Sequence, residues 1–304
     1  MDLHQLRIFA TIAEEGNLTR ASERLYSSQP AISAQLKALE EELGLELFQR
    51  MPKGMRLTAH GKRLLDQAQR ILADSDRLLS RAREIRGDVL GLLRIGLNTD
   101  ADYLRVSPLY RLLKQRHPGI ELQFIPGMSV EHLASLRISK LDAAFVSGET
   151  DDPQLSLMEL DRTRLHVAAP GDWAERLKSA GIADLAREPW VQTSPNCIHF
   201  QLVRELFEQQ GCPPPASLIA DQEDALVSLV KSGAGLGILR EDEIRCHQEN
   251  GDLQALPVEL PPLPLSLAVL KKNRDQPALR ALREALTDIW SLAGNCAIGA
   301  DSVS

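Results

Sequence analysis

Gln29, Ser33 and Lys37 stand four residues apart, beside a second series made of Ile32, Leu36, Leu39 and Leu43. An amide, a hydroxyl and an ammonium group about one helical turn apart are suited to hydrogen bonding with base edges in the major groove of DNA. Between Leu47 and Leu65 the chain carries Arg50, Lys53, Arg56, Lys62 and Arg63 and no acidic residue. A local cationic surface of this kind neutralises phosphates. A third set recurs in four places: Asn98-Thr99-Asp100, Gly127-Met128-Ser129, Ser147-Gly148 and Thr193-Ser194-Pro195-Asn196-Cys197. Any one of these hydroxyls reads equally well as a helix cap, whereas their repetition points to polar loops around a small ligand.

Other reactive residue types do not assemble into a catalytic set. No nucleophile has an evident base, no metal-ligand spacing occurs, and His199 stands apart from other ligand types in the sequence. Gly233-Ala234-Gly235-Leu236-Gly237 follows a helical pattern and precedes a strand, the reverse of a dinucleotide fingerprint, so it reads as a turn. The four cysteines, Cys197, Cys212, Cys246 and Cys296, lie far apart with no Cys-x-x-Cys pair, which argues for free thiols. Cys197 is expected at a helix start, where amide dipoles favour thiolate. A redox switch with Cys212 would have to span the intervening helix, about 20 Å at 1.5 Å per residue.

The net charge of −7 is distributed unevenly. Residues 1–87 hold 14 Lys or Arg against 12 Asp or Glu, leaving 21 against 30 for the remainder. The N-terminal part therefore suits a nucleic-acid partner despite the acidic total. No apolar run approaches the roughly 18 residues of a membrane span, and the N-terminus lacks a signal-peptide pattern, so a cytoplasmic protein without membrane association is expected.

The elements that must position these residues begin with Leu3, Leu6, Phe9, Ile12 and Ala13, whose spacing predicts a helix ended by Gly16. Asn17 and Thr19 offer caps for a short second helix with Leu18, Ala21 and Leu25. A third opens near Pro30 and runs to Gly44. Small Ala21 and Ser22 allow close crossing of the second and third helices, as a helix-turn-helix requires. Thr19 and Arg20 are placed to hold phosphates. Leu47-Phe48 and Met55-Arg56-Leu57, around the turn Pro52-Lys53-Gly54, predict a two-stranded wing. The alternative is a three-helix cap with a solvated polar face.

The ordered run Ala21-Ser22, Leu25, Ser28-Gln29-Pro30-Ala31-Ile32-Ser33, Leu36, Leu39-Glu40, Leu43-Gly44, Leu47-Phe48, Arg50, Leu57-Thr58 and Gly61 resembles the DNA-binding domain of LysR-type transcriptional regulators. Ser22 stands where that family usually has a second alanine. The resemblance implies that Ser28, Gln29, Pro30, Ser33 and Lys37 meet the groove, and that Arg50, Lys53 and Thr58 meet flanking phosphates. It also implies promoter DNA, RNA polymerase and a small-molecule effector as partners, with no cofactor.

From Leu64 onward the positions Leu64, Ala68, Ile71, Ser75, Leu78, Ala82, Ile85 and Val89 alternate steps of four and three. This 3.5-residue period, with Leu65, Leu72 and Leu79 alongside, predicts a long helix whose stripe is covered by a second copy or by its own domain. Family resemblance favours a homodimer or homotetramer.

The remaining two hundred residues alternate strand and helix patterns. The series is Leu92–Leu97, Tyr103–Arg116, Ile120–Ile125, Val130–Ser139 and Leu141–Val146, then Leu165–Ala169, Trp190–Thr193, Ile198–Gln210, Leu218–Ala220, Ala225–Lys231 and Leu236–Leu239, and finally Leu265–Leu270 and Pro277–Leu292. Such alternation predicts α/β architecture with mostly parallel, doubly wound sheets. The expected organisation is a winged helix-turn-helix over 1–60, a linker helix over 61–90, and an effector-binding domain over 91–304. By resemblance that domain is periplasmic-binding-protein-like, with lobe I at about 91–162 and 266–304 and lobe II at about 163–265. The chain then crosses between lobes near Leu160–Arg164 and Leu263–Leu267.

In such sheets ligands bind beyond the carboxyl ends of strands. This rule selects Asn98, Thr99, Asp100, Met128, Ser129, Ser147, Thr193, Ser194 and Asn196 as effector contacts. The family often takes carboxylates. Asp100 departs from the small neutral residue usual at its position, which leaves cationic or neutral effectors open. The resulting reading is a DNA-binding regulator controlled by a small molecule. Rival readings are a redox-responsive regulator acting through Cys197, since a peroxide-sensing relative uses two cysteines at a different spacing, a solute-binding protein or enzyme on the same scaffold, and a constitutive DNA-binding protein.

Overall fold

The computed structural model describes residues 1–52, 54–84, 91–212, 215 and 217–297. The N-terminal head consists of α1 (Leu3–Glu15), α2 (Leu18–Arg24), α3 (Gln29–Leu43), β1 (Phe48–Met51), β2 (Gly54–Leu57) and α4 (Ala59–Glu84). Local chemistry sets each boundary. The Asp2 carboxylate accepts from the Gln5 amide while the Gln5 side chain accepts from Asp2 N, and Gly16 closes α1 in the left-handed region. Asn17 caps α2 by accepting from the amides of Thr19 and Arg20, and Ser28 caps α3 by accepting from that of Ala31.

Between these helices Ser27 N donates to Ser22 O and Tyr26 N to Glu23 O, a Schellman closure. Its left-handed position, usually glycine, is held by Tyr26 at φ 49°. The core of the head joins Leu6, Phe9, Ile12, Ala21, Ile32, Leu36, Leu39, Leu47 and Phe48, with Phe9 and Phe48 in an edge contact at 5.6 Å.

Two devices fix the wing to the helices. One Glu40 carboxylate oxygen accepts from Leu47 N at 2.7 Å and Phe48 N at 3.2 Å. Met55 N donates to Gly16 O at 2.7 Å, and a Cβ on Gly54 would lie 2.3 Å from that same carbonyl. Only glycine permits this approach, particularly at φ 141°.

The first half of the predicted seam faces inward, since Leu64, Leu65, Ala68, Ile71 and Leu72 pack onto the head's own core. This part of the stripe is therefore covered by α1 and its neighbours. Leu78, further along, is exposed. Ile85 and Val89 lie outside the described residues.

Lobe I contains β3 (Gly91–Leu97), α5 (Val106–Arg116), β4 (Ile120–Pro126), α6 (Ser129–Arg137), β5 (Ala143–Ser147) and β6 (Leu155–Thr163). Lobe II contains β7 (Leu165–Pro170), α7 (Ala174–Leu177), α8 (Ile182–Leu185), β8 (Trp190–Gln192), α9 (Ile198–Glu208), β9 (Ser217–Ile219), α10 (Glu223–Lys231), β10 (Gly237–Arg240), α11 (Glu241–Gln248) and β11 (Leu253–Ala255). The chain returns through β12 (Leu263–Leu270) and α12 (Pro277–Ala297) to lobe I.

The sheets are mixed. Lobe I has the order β4-β3-β5-β12-β6, in which β3 is parallel to β4 and β5 while β12 is antiparallel to both its neighbours. In lobe II, β7 is antiparallel to β10 and β11, β8 is parallel to β9, and a parallel bridge from Trp190 to Leu236 joins the two groups. Each lobe thus has one reversed strand, and in each case it is the strand arriving from the other lobe. Alternation alone predicts parallel strands and misses this reversal, because an incoming strand enters from the cleft end. It also misses β6, α7, α8, α11 and β11.

Each lobe has its own core. Lobe I buries Leu93, Ile95, Phe145, Leu265 and Leu267 of its sheet against α5 and against Leu282 of α12, while lobe II is built around Trp190, edge-on to Phe207 at 5.4 Å. The lobes join where β6 passes into β7 and where β12 begins, with Leu263 paired to Thr163. Head and lobe I meet at Glu14, which binds Lys140 at 2.8 Å.

Candidate DNA-reading edge and effector cleft

On α3 the buried face of Ile32, Leu36 and Leu39 leaves Gln29, Pro30 and Lys37 exposed and Ser33 half-buried. The Lys37 ammonium is 3.4 Å from Glu41, but both side chains are well exposed and can separate. Thr19 and Arg20 are also exposed, although Arg20 is tied by its guanidinium to Glu15 O at 2.6 Å. Arg50 is exposed on the wing, and Lys53 lies outside the described residues.

Ser28 and Thr58 play parts that the expectation did not include. The Ser28 hydroxyl caps α3. That of Thr58 donates to Glu46 O at 2.7 Å and accepts from Gly61 N at 2.9 Å. A Cβ on Gly61 would stand 2.2 Å from Leu47 O, so this motif glycine also serves packing.

The predicted effector loops converge. A cavity of about 110 Å³ between the lobes is lined by Asn98, Thr99, Met128, Ser129, Ser147, Thr193 and Asn196, seven of the nine expected residues. Asn98 and Ser147 side chains are 2.8 Å apart, and Ser147 N donates to the Ser129 hydroxyl at 3.0 Å. Thr193 Oγ1 is buried within the wall with no protein partner. Ser194 instead reaches across the cleft to Met128 Sδ at 3.6 Å, and its amide donates to Asp221 at 2.6 Å. Asp100 lies at the mouth, in a neighbouring acidic depression.

Sequence reasoning missed Tyr103, Thr163, Asp221, Glu223, Arg240 and Leu263, which also line the cavity. Asp221 and Glu223 follow β9 and Arg240 ends β10, so the same strand-end rule would have named them. The Arg240 side chain is only 6% exposed. Its guanidinium donates to Thr99 Oγ1 at 2.6 Å, Glu223 at 2.9 Å and Asp242 at 3.1 Å, and also binds Asp100. It stacks 4.4 Å over Tyr103, whose hydroxyl is 2.8 Å from that of Thr163.

Burial pushes the Glu243 carboxyl up to about 7 against the opposing pull of Arg240. Desolvation, reinforced by Arg240, drives the His199 imidazole down to about 4, so it is neutral at physiological pH. Cys197 and Cys212 are free and flank α9 at opposite ends. No group of metal-binding residues occurs among the described residues.

The fold and its two surfaces define a winged DNA-reading head carried on a two-lobed ligand-binding module. Residues 3–62 match the family model "Bacterial regulatory helix-turn-helix protein, lysR family", and residues 86–291 match "LysR substrate binding domain". The chain belongs to the LysR family of transcriptional regulators, with a helix-turn-helix DNA-binding domain and an effector-binding domain; this is a family of regulators, not of enzymes.

It is 28% identical over 290 residues to the transcriptional regulator TfdS of Cupriavidus pinatubonensis, covering 92% of this chain and 96% of that one. It is 29% identical to CbbR of Xanthobacter flavus, covering 93% and 86%. Among solved structures, full-length CbnR is similar in fold, with a TM-score of 0.66 at 24% identity over 95% of this chain and 99% of that one. CbnR complexed with its target DNA gives 0.64 at the same identity, covering 95% and 99%. Among the described residues, no helix is long and apolar enough to cross a membrane.

Proposed function

We propose that this regulator reads promoter DNA through the edge formed by Gln29, Pro30, Ser33 and Lys37, with Thr19, Arg20, Arg50 and Lys53 holding phosphates, and that a small molecule in the interlobe cavity controls it. The observation that carries the reading is the convergence of four polar loops from two lobes on one enclosed volume. A cavity there couples ligand occupancy to lobe angle, because its two walls belong to bodies between which the chain passes at β6–β7 and at the start of β12.

Two copies joined along the distal part of α4, where Leu78 is exposed, would present two heads to an inverted-repeat site. A dimer or tetramer acting in the cytoplasm with RNA polymerase at the promoter completes the scheme. We divide the chain accordingly into a head over 1–60, a linker over 61–90 and an effector domain over 91–304. Ser28 and Thr58 contribute by holding helix ends in place.

Footprinting on fragments of the source genome, with and without a metabolite panel, tests the reading. A protected inverted repeat whose footprint length or affinity changes with one metabolite is the expected outcome. Equal affinity for genomic and random DNA at physiological salt, with every metabolite silent, would overturn it.

A further inference from the structure

The structure assigns to Glu223 a specificity-determining role: its carboxylate fills the anion seat of the interlobe cleft, so the cleft refuses effectors that bind through a carboxylate. This inference rests on the reading of the cleft as the effector site and names the class that the site excludes.

The seat is built from both lobes. One Glu223 oxygen accepts from the Thr99 hydroxyl at 2.5 Å and from Arg240 Nη1 at 2.9 Å, and the other faces the amide of Asp100 at 3.2 Å. A hydroxyl, a main-chain N–H beyond a strand end and a guanidinium are the donor set by which proteins hold a carboxylate. Here the occupant is a side chain of the opposite lobe, tethered at the start of α10, and it needs no free ligand to be present.

The charges agree with the geometry. Arg240 supplies the sole fixed positive charge among the described residues lining the cavity, and its donors already face Thr99, Asp100, Glu223 and Asp242. His199 in the same wall is neutral. A carboxylate entering beside Glu223 would therefore meet Asp221, Glu223 and Asp100 with no unengaged cation. Like charges at such distances disfavour the anion strongly in a partly desolvated site. A neutral or cationic polar effector meets no such opposition, and the unpartnered hydroxyl of Thr193 offers it a hydrogen bond.

Shortening Glu223 empties the seat and leaves its three donors in place. Glu223 is the half-buried first residue of α10 and belongs to neither apolar cluster of lobe II, so the Glu223→Gly chain retains the lobe II core. The test uses full-length protein and sodium acetate as the probe, with sodium chloride at equal ionic strength as the control, followed by calorimetry and thermal melting. Wild type should show no acetate-specific rise in Tm. The Glu223→Gly variant should bind acetate at least about tenfold more tightly and melt a few degrees higher at saturation.

Adding Thr99→Val to that variant should abolish the gain, which separates binding in the seat from binding elsewhere. If Glu223→Gly does not give folded protein, Glu223→Ser vacates the same space and is read identically. Acetate binding equally to wild type and variant, or failing to bind a folded variant, would overturn the assignment. Neither result depends on DNA, so the inference can fail while the footprinting outcome stands, and the reverse.

Discussion

Replacing Arg240 by methionine removes the charge at the point where the lobes touch while keeping most of the buried stem volume. The guanidinium joins Thr99 and Asp100 of lobe I to Glu223, Asp242 and Glu243 of lobe II, with four carboxylates within ion-pair distance. Taking one partner from a fully buried pair costs about 3–5 kcal/mol. Three of the four carboxylates here are 41%, 33% and 39% exposed and can regain water, whereas Glu243 at 14% cannot do so readily. The lower end, about 3 kcal/mol, is therefore expected, well below the sum of the separate contacts.

For an effector domain of this size that corresponds to a fall in Tm of roughly 6–12 °C. Calorimetry of the full chain at pH 7.5 measures it. Repeating the melt in Asp100→Asn and in the double variant isolates the coupling across the cleft, which should be about 1 kcal/mol or more. A Tm within 2 °C of wild type, or single-variant effects that simply add, would refute the claim that Arg240 holds the lobes together.

Four further outcomes follow from the geometry. Gly54→Ala drives a Cβ into the Gly16 carbonyl and strains a positive φ, so it should cost about 2–4 kcal/mol and weaken DNA binding, with faster hydrogen exchange at Met55 N as the local signature. Tyr26→Gly should raise stability by about 1 kcal/mol in denaturant unfolding, because glycine suits the left-handed closure that Tyr26 now occupies at 99% exposure. Glu243 has a folded-state pKa raised to about 7 from 4.5, so the native chain binds the extra proton and stability falls as pH rises from about 4.5 to 7. Glu243→Gln should therefore gain on wild type by up to about 3 kcal/mol between pH 4.5 and pH 8, read as a flattened Tm profile. In DNA titrations Arg50→Glu should lower affinity for every sequence and reduce the salt slope by about 1, whereas Ser33→Ala should act at particular base pairs.

Much of the head could be read directly from residue order. Gly16, Asn17, Pro30 and Gly44 each act locally at a helix end, and the apolar spacing of α1 and α3 matches their buried faces except at Leu3 and Leu43, which are exposed. The wing was legible for the same reason, although the Gly16–Gly54 approach that seats it joins residues far apart in sequence. In the effector domain, alternation gave the two strand–helix series and their cleft-facing loops, and the family resemblance the division into lobes, but neither gave strand direction, which depends on where a returning chain enters a sheet. The polar loops were found because hydroxyls and amides cluster at strand ends. Strand-end position marks Glu223 and Arg240 as cleft-facing, but their pairing is not legible in the sequence, because an acid at a helix start and a base at a strand end look ordinary until opposing lobes bring them together. The long period-3.5 stripe could not reveal that its first half covers α1, because periodicity describes a face and not what covers it.

The two crossings of the chain between lobes lie side by side, with Thr163 opposite Leu263. A pair of adjacent straps allows folding about the line through them but resists sliding and twisting, as a door on two pins swings but does not shift. Whatever occupies the cleft can thus report through a single angle. A regulator so constructed would grade its output by how far an occupant props the lobes apart, which makes the bulk of a molecule as informative to it as the molecule's chemistry.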